Sequence, residues 1–176
     1  MFSIILVSCP VLGALLLLST DSLFKHRFIA IIVTAVTLLL SLYLLTKEHI
    51  SYAEVFVLLT TLTMPSALLA GWDSLRSNSL IYYASMLILE ACLIGVFISK
   101  DVISFYVCFE AALIPLFIII GIFGGSGSQR ASYLLFLYTL LGSLFILIGL
   151  LLLVLTTGSI YFDIILLSTS GQAHAA

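Results

Sequence analysis

The stretch MLILEACLIGVFISKDVISFYVCFEAALIPLFIIIG, residues Met86 to Gly121, decides how the rest of the chain is read. Two apolar runs, each long enough to cross a bilayer as a helix, meet at the short polar turn Ser99-Lys100-Asp101. Each run holds one carboxylic acid: Glu90 in the first and Glu110 in the second. An acid at the centre of a membrane helix costs roughly 2.5–3.5 kcal/mol on insertion scales, so each is a functional candidate by default. Pro115 follows Glu110 by little more than one turn. Proline has no N–H, so the carbonyl of Ala111 loses its helical donor beside the acid, and the helix is expected to bend there. A carbonyl freed in hydrocarbon must find water or a polar neighbour. Glu110, Ala111 and Pro115 therefore mark one hydrated, proton-accepting level. The alternative is a kinked packing helix whose acid stays protonated and bonded to a neighbour. For Glu90 the choice lies between a second stop on a lateral proton route and a hydrogen-bonded structural acid.

Composition extends this to the whole chain. Of 176 residues, 63% are hydrophobic and 8% are charged, against about 25% charged in soluble domains. The expectation is an all-α, polytopic membrane protein forming one transmembrane domain over residues 1–176. Six spans are predicted, at about residues 2–19, 28–45, 52–71, 80–98, 102–123 and 132–155, followed by an interfacial, flexible tail over 156–176. Thr60, Thr61 and Thr63 are expected to bond back to their own helix. Gly142 and Ser143 suit close helix contact, and Gly124 to Arg130 (GGSGSQR) reads as a flexible loop.

The net charge of −2 points to no nucleic acid partner. Cys9, Cys92 and Cys108 lie in apolar runs without metal or redox spacing. His26, His49 and His174 are scattered over what read as loops and tail. No metal ligands are assigned. Nor is any residue assigned a catalytic role in the sense of bond-making chemistry. Loops after the first, third and fifth spans hold Lys25, Arg27, Arg76 and Arg130, against Lys47 and Lys100 on the other side. That bias places the first set on the cytoplasmic or matrix face. The first apolar run has no basic leader, so it is expected to remain in the mature protein.

The wording of residues 90 to 158 is more specific. Gly95-Val96-Phe97, Asp101, Phe105-Tyr106-Val107, Phe109-Glu110 and Leu113-Ile114-Pro115 resemble the matching stretch of the chain 4 family of NADH–ubiquinone oxidoreductase. These are proton-pumping membrane subunits of respiratory complex I. The resemblance continues through Arg130 to Tyr133 and Phe136 to Ser143, and upstream through Cys9 to Gly13 and Leu58 to Leu62. It implies the N-terminal portion of an antiporter-like, inverted-repeat subunit, and it gives Glu110 the role of the acid facing a seventh-span lysine. It also implies that NAD, FMN, iron–sulfur clusters and ubiquinone bind elsewhere in the complex, with no cofactor on this chain. Other membrane-arm subunits and lipid would be neighbours, in the mitochondrial inner membrane or, alternatively, a bacterial plasma membrane.

Three departures stand out. Leu134 replaces a polar residue common in the family, the loop at Lys47 to Ser51 is short, and the family continues well beyond a sixth span. The resemblance then implies a separate chain supplying the seventh span onward, including its lysines. Two other classes compete with this one: a subunit of a multisubunit cation/proton antiporter, and a structural membrane remnant.

Overall fold

The computed structural model describes residues 2–20, 23–47, 52–72, 79–125, 127–162 and 164–166. Six helices follow in order: α1 (Phe2–Leu18), α2 (Leu23–Lys47), α3 (Tyr52–Ala70), α4 (Ser79–Ile98), α5 (Val102–Phe123) and α6 (Ser128–Thr157). By length and composition, α2 to α6 can cross a membrane, whereas α1 is a shorter apolar helix. This is an all-α, multi-pass membrane architecture. The predicted second run, Phe28–Leu45, lies within the longer α2, so Lys25, His26 and Arg27 belong to a helix rather than a loop. Likewise α6 starts at Ser128, which moves Arg130 out of the glycine loop into the first helical turn. Helical structure runs without interruption through Pro10, Pro65 and Pro115.

The bundle is built around α4, which packs on α1, α2, α3 and α5. Half of α4 is buried, against 6% of α6, which lies at the edge against α5. The main apolar cluster joins Ala14 and Leu17 of α1, Ala30 of α2, Leu68 of α3 and Tyr83, Met86 and Leu87 of α4. Between lipid-soluble helices the gain comes from close fit rather than from escaping water, and small residues permit it. A β-carbon added to Gly13 would lie 2.7 Å from Val33 of α2. One on Gly95 would lie 2.9 Å from the Cys108 sulfur of α5. At Gly142 nothing comes within 4 Å, so of the pair expected to pack closely only Ser143 is buried.

The turn between α4 and α5 is tied at both ends. Ser99 donates its hydroxyl to the Gly95 carbonyl at 2.7 Å, and Asp101 caps α5 by accepting from the Ser104 N–H at 2.9 Å. After α6, Gly158 takes a left-handed conformation (φ 69°) and its N–H bonds to the Val154 carbonyl, ending the helix. The chain then returns to the turn. The Val102 N–H donates to the Ile160 carbonyl at 3.0 Å, and the Phe162 N–H donates to the Lys100 carbonyl at 3.1 Å. Phe162 meets Phe105 edge-on, and Ile165 is buried. A helix begins with N–H groups that have no internal partner, and one of those at the start of α5 is what the segment after Gly158 satisfies. Of the predicted tail, Thr156 and Thr157 belong to α6, residues 158–162 take this course, and residues 167–176 lie outside the described ones, as does His174.

Candidate functional site

α2 buries one face at positions 26, 30, 34, 37 and 41, the spacing of a helical stripe, and four of these five residues are polar: His26, Thr34, Thr37 and Ser41. α4 faces it with Ser79, Tyr83, Leu87 and Glu90. The two stripes meet at two polar levels separated by an apolar layer.

At the first level, near the helix ends, His26 Nε2 lies 2.7 Å from the Thr20 carbonyl oxygen and Nδ1 lies 3.2 Å from Ser79 Oγ. A carbonyl only accepts, so Nε2 carries a hydrogen, and a neutral ring then accepts the Ser79 hydroxyl at Nδ1. His26 is thus a buried clasp holding the end of α1 and the start of α4 to α2, not the loop histidine its flanking lysine and arginine suggest. Beside it the Arg27 guanidinium stands 5.3 Å from the Trp72 ring centre, and Phe28 meets Trp72 edge-on.

At the second level, deep in the bundle, Glu90 is 0% exposed. Its Oε1 lies 2.6 Å from Thr37 Oγ1, while Oε2 is buried with no hydrogen-bond partner among the described residues. Thr37 is also 2.9 Å from the carbonyl of Thr34. One turn on, Ser41 Oγ meets Thr61 Oγ1 of α3 at 2.9 Å. The threonines read as bonding to their own helix do so: Thr60 to the Phe56 and Val57 carbonyls, Thr61 to Leu58 and Thr63 to Thr60. Thr61 carries the cross-helix contact as well. The hydroxyls of α2 do not stand out from the apolar residues around them in the sequence. Their spacing of three and four residues in an otherwise apolar helix was the signal available.

Glu110 stands in a different place, half-buried on α5 where it packs against the edge helix α6. Tyr106 lies one turn earlier on the same face, near Glu110 and the buried Ser143 of α6, whose hydroxyl donates to its own helix at the Leu140 carbonyl. Below them a cleft of about 120 Å³ is lined by Val102, Ile103 and Tyr106 of α5, by Leu147, Leu150, Leu151 and Val154 of α6, and by Ile160. Pro115 is buried and Ala111 is half-buried on the same helix. The structure therefore does not join the two acids into one cluster. Glu90 is enclosed by α2 and α4, and Glu110 lies at the rim of the bundle with a phenol and a hydroxyl.

Residues 99–175, which include α5 and α6, match the family described as NADH:quinone oxidoreductase/Mrp antiporter, transmembrane. NADH-ubiquinone oxidoreductase chain 4 of Arabidopsis thaliana is 37% identical over 190 aligned positions, covering 92% of this chain and 38% of that one. The protein of the same name in Mycosarcoma maydis is 47% identical over 114 residues, 64% of this chain and 24% of that one. NADH-quinone oxidoreductase subunit M of Rhodobacter capsulatus is 40% identical over 120 residues, 68% of this chain and 23% of that one. The chain thus spans about two fifths or less of the length of these relatives. On these matches it resembles a part of NADH–ubiquinone oxidoreductase chain 4 along nearly its whole length, and from residue 99 onward it carries the pattern of the oxidoreductase/antiporter transmembrane family.

Proposed function

We propose that this chain forms part of the membrane arm of a proton-translocating NADH:ubiquinone oxidoreductase and takes part in moving protons without carrying a redox group itself. NAD, FMN, iron–sulfur clusters and ubiquinone are assigned to other subunits. The single observation that carries the proposal is the half-buried Glu110, set near Tyr106 and Ser143 on the two helices that match the family. A carboxyl group beside a phenol and a hydroxyl can take up a proton and pass it along a hydrogen-bonded line. The group lies at the rim of the bundle, where a second polypeptide bringing the family's next helices can reach it. A lysine on that polypeptide, placed opposite Glu110, couples to it because the charge of each changes the proton affinity of the other. The membrane assigned is the mitochondrial inner membrane, with the bacterial plasma membrane as the alternative. Catalysis by this chain alone is not part of the proposal.

The test is purification of the intact assembly from its native membrane, with identification of every polypeptide. Subunits bearing flavin and iron–sulfur centres, together with a chain supplying the later helices, are the expected result. The family description also names Mrp antiporters, which supports a second reading as a subunit of a cation/proton antiporter. An assembly devoid of flavin and iron–sulfur centres that exchanges cations for protons would replace the first reading with the second.

A further inference from the structure

Glu90 is buried more completely than any other acid among the described residues, and counting hydrogens around it assigns its state. Thr37 Oγ1 lies 2.6 Å from Glu90 Oε1 and 2.9 Å from the Thr34 carbonyl oxygen. A threonine hydroxyl has one hydrogen to give, and a carbonyl can only accept. An ionised Glu90 would leave two acceptors competing for that hydrogen, with the second carboxylate oxygen, Oε2, bonded to no donor among the described residues. A protonated Glu90 fills both contacts: the acid donates to Thr37 Oγ1, and Thr37 donates to the Thr34 carbonyl. The 2.6 Å separation suits either form, so the donor count and the burial decide between them. Cys9 on α1 is a titratable neighbour of this pocket, and a thiol offers no cation to offset a negative charge. Lys25 and Arg27 lie near the opposite end of the α2 stripe, beyond the apolar layer of Ala30, Met86 and Leu87.

We propose that Glu90 is a proton-holding site complete within this chain, a neutral carboxylic acid that donates to Thr37 while Thr37 donates to the Thr34 carbonyl. Thr37 is then its positioning residue. The proposal needs no companion chain and does not rest on the preceding functional reading, because both partners lie on α2.

Infrared difference spectroscopy of the native assembly tests it. Subtracting a Glu90→Gln spectrum from the wild type should isolate one protonated-carboxyl C=O band, and transfer to D2O should lower that band's frequency. In Thr37→Val the band should move to higher frequency, since its hydrogen bond is lost, and Thr37→Ser should return it. A difference spectrum showing carboxylate bands in place of the C=O band would overturn the proposal. So would a C=O band that ignores Thr37→Val. Should the valine variant fail to assemble, the wild-type minus Glu90→Gln spectrum and the D2O shift still decide whether the acid carries a proton.

Discussion

Glu90 and Glu110 are the same chemical group in two surroundings, and their consequences differ accordingly. Glu90 is sealed by α2 and α4 and has a single hydroxyl partner. Glu110 is half-buried beside Tyr106, at the meeting of α5 with an edge helix. Replacing Glu110 with Gln keeps the shape and removes the exchangeable acid, so proton translocation by the assembly should fall at least tenfold, about 1.4 kcal/mol or more in rate terms. Glu90→Gln should spare most translocation, because an amide can still bond to Thr37. Comparing proton uptake by vesicles containing each variant separates the two roles, and equal losses would make Glu90 a direct participant. Thr37→Val leaves the buried acid without its partner, a loss of about 1–3 kcal/mol. It should appear as a lower melting temperature of the detergent-solubilised protein, larger than that of Thr63→Val, whose hydroxyl bonds to its own helix at an exposed position.

At the scale of elements, the turn that joins the acid-bearing helices shows what was legible in the sequence and what was not. The membrane helices, and both acids, announce themselves through a local quantity: an unbroken apolar run with one costly exception. The polar turn at Asp101 was legible too, whereas its use as the cap of α5 comes from the structure. Ser104, through its hydroxyl and its backbone N–H, holds the Asp101 carboxyl below the usual carboxylate range. A carboxyl lowered in the folded state stabilises above its unfolded value of about 3.9 and loses that contribution as pH falls through the folded value. Asp101→Asn should therefore flatten the acid limb of a stability-against-pH curve, and an unchanged limb would remove the cap from the account. The return of residues 159–162 onto this turn was not legible, because it rests on backbone N–H and carbonyl groups that every residue has. The clasp at His26 was hidden for another reason. Its neighbours Lys25 and Arg27 are loop-like by composition, and the partners of the ring, Ser79 and the Thr20 carbonyl, come from other segments of the chain. The glycine at 95 is a further element-scale test. Gly95→Leu would force the α4–α5 contact apart at Cys108, with an overpacking cost of about 1–3 kcal/mol. Cys108→Ala in the same chain should recover part of that cost in thermal unfolding, and a purely additive double variant would mean the two residues do not meet.

Over the whole molecule the helices divide into an enclosed group around α4 and an open edge at α6. Exposure of apolar residues does not by itself call for a protein partner in a membrane, since lipid tails are as apolar as leucine. What points to a partner at α6 lies beneath it: an acid, a phenol and a serine at the rim of the bundle, on a chain that spans about two fifths or less of its relatives. Phe145 is 68% exposed and Tyr138 is 72% exposed, both on α6 beyond the helix's contact with α5. If a companion chain supplies the following helices, it covers part of this face. A Phe145→Cys variant, with Cys9, Cys92 and Cys108 changed to Ala, can be labelled from the hydrocarbon by a lipid-soluble maleimide. Labelling should be rapid in the chain alone and several-fold slower in the native assembly, where a cross-linker at the same position should capture a single polypeptide. Equal labelling in both states would leave α6 facing lipid and take the companion chain away from this edge. Glu110 would then have to meet its cation across some other face of α5, or have none.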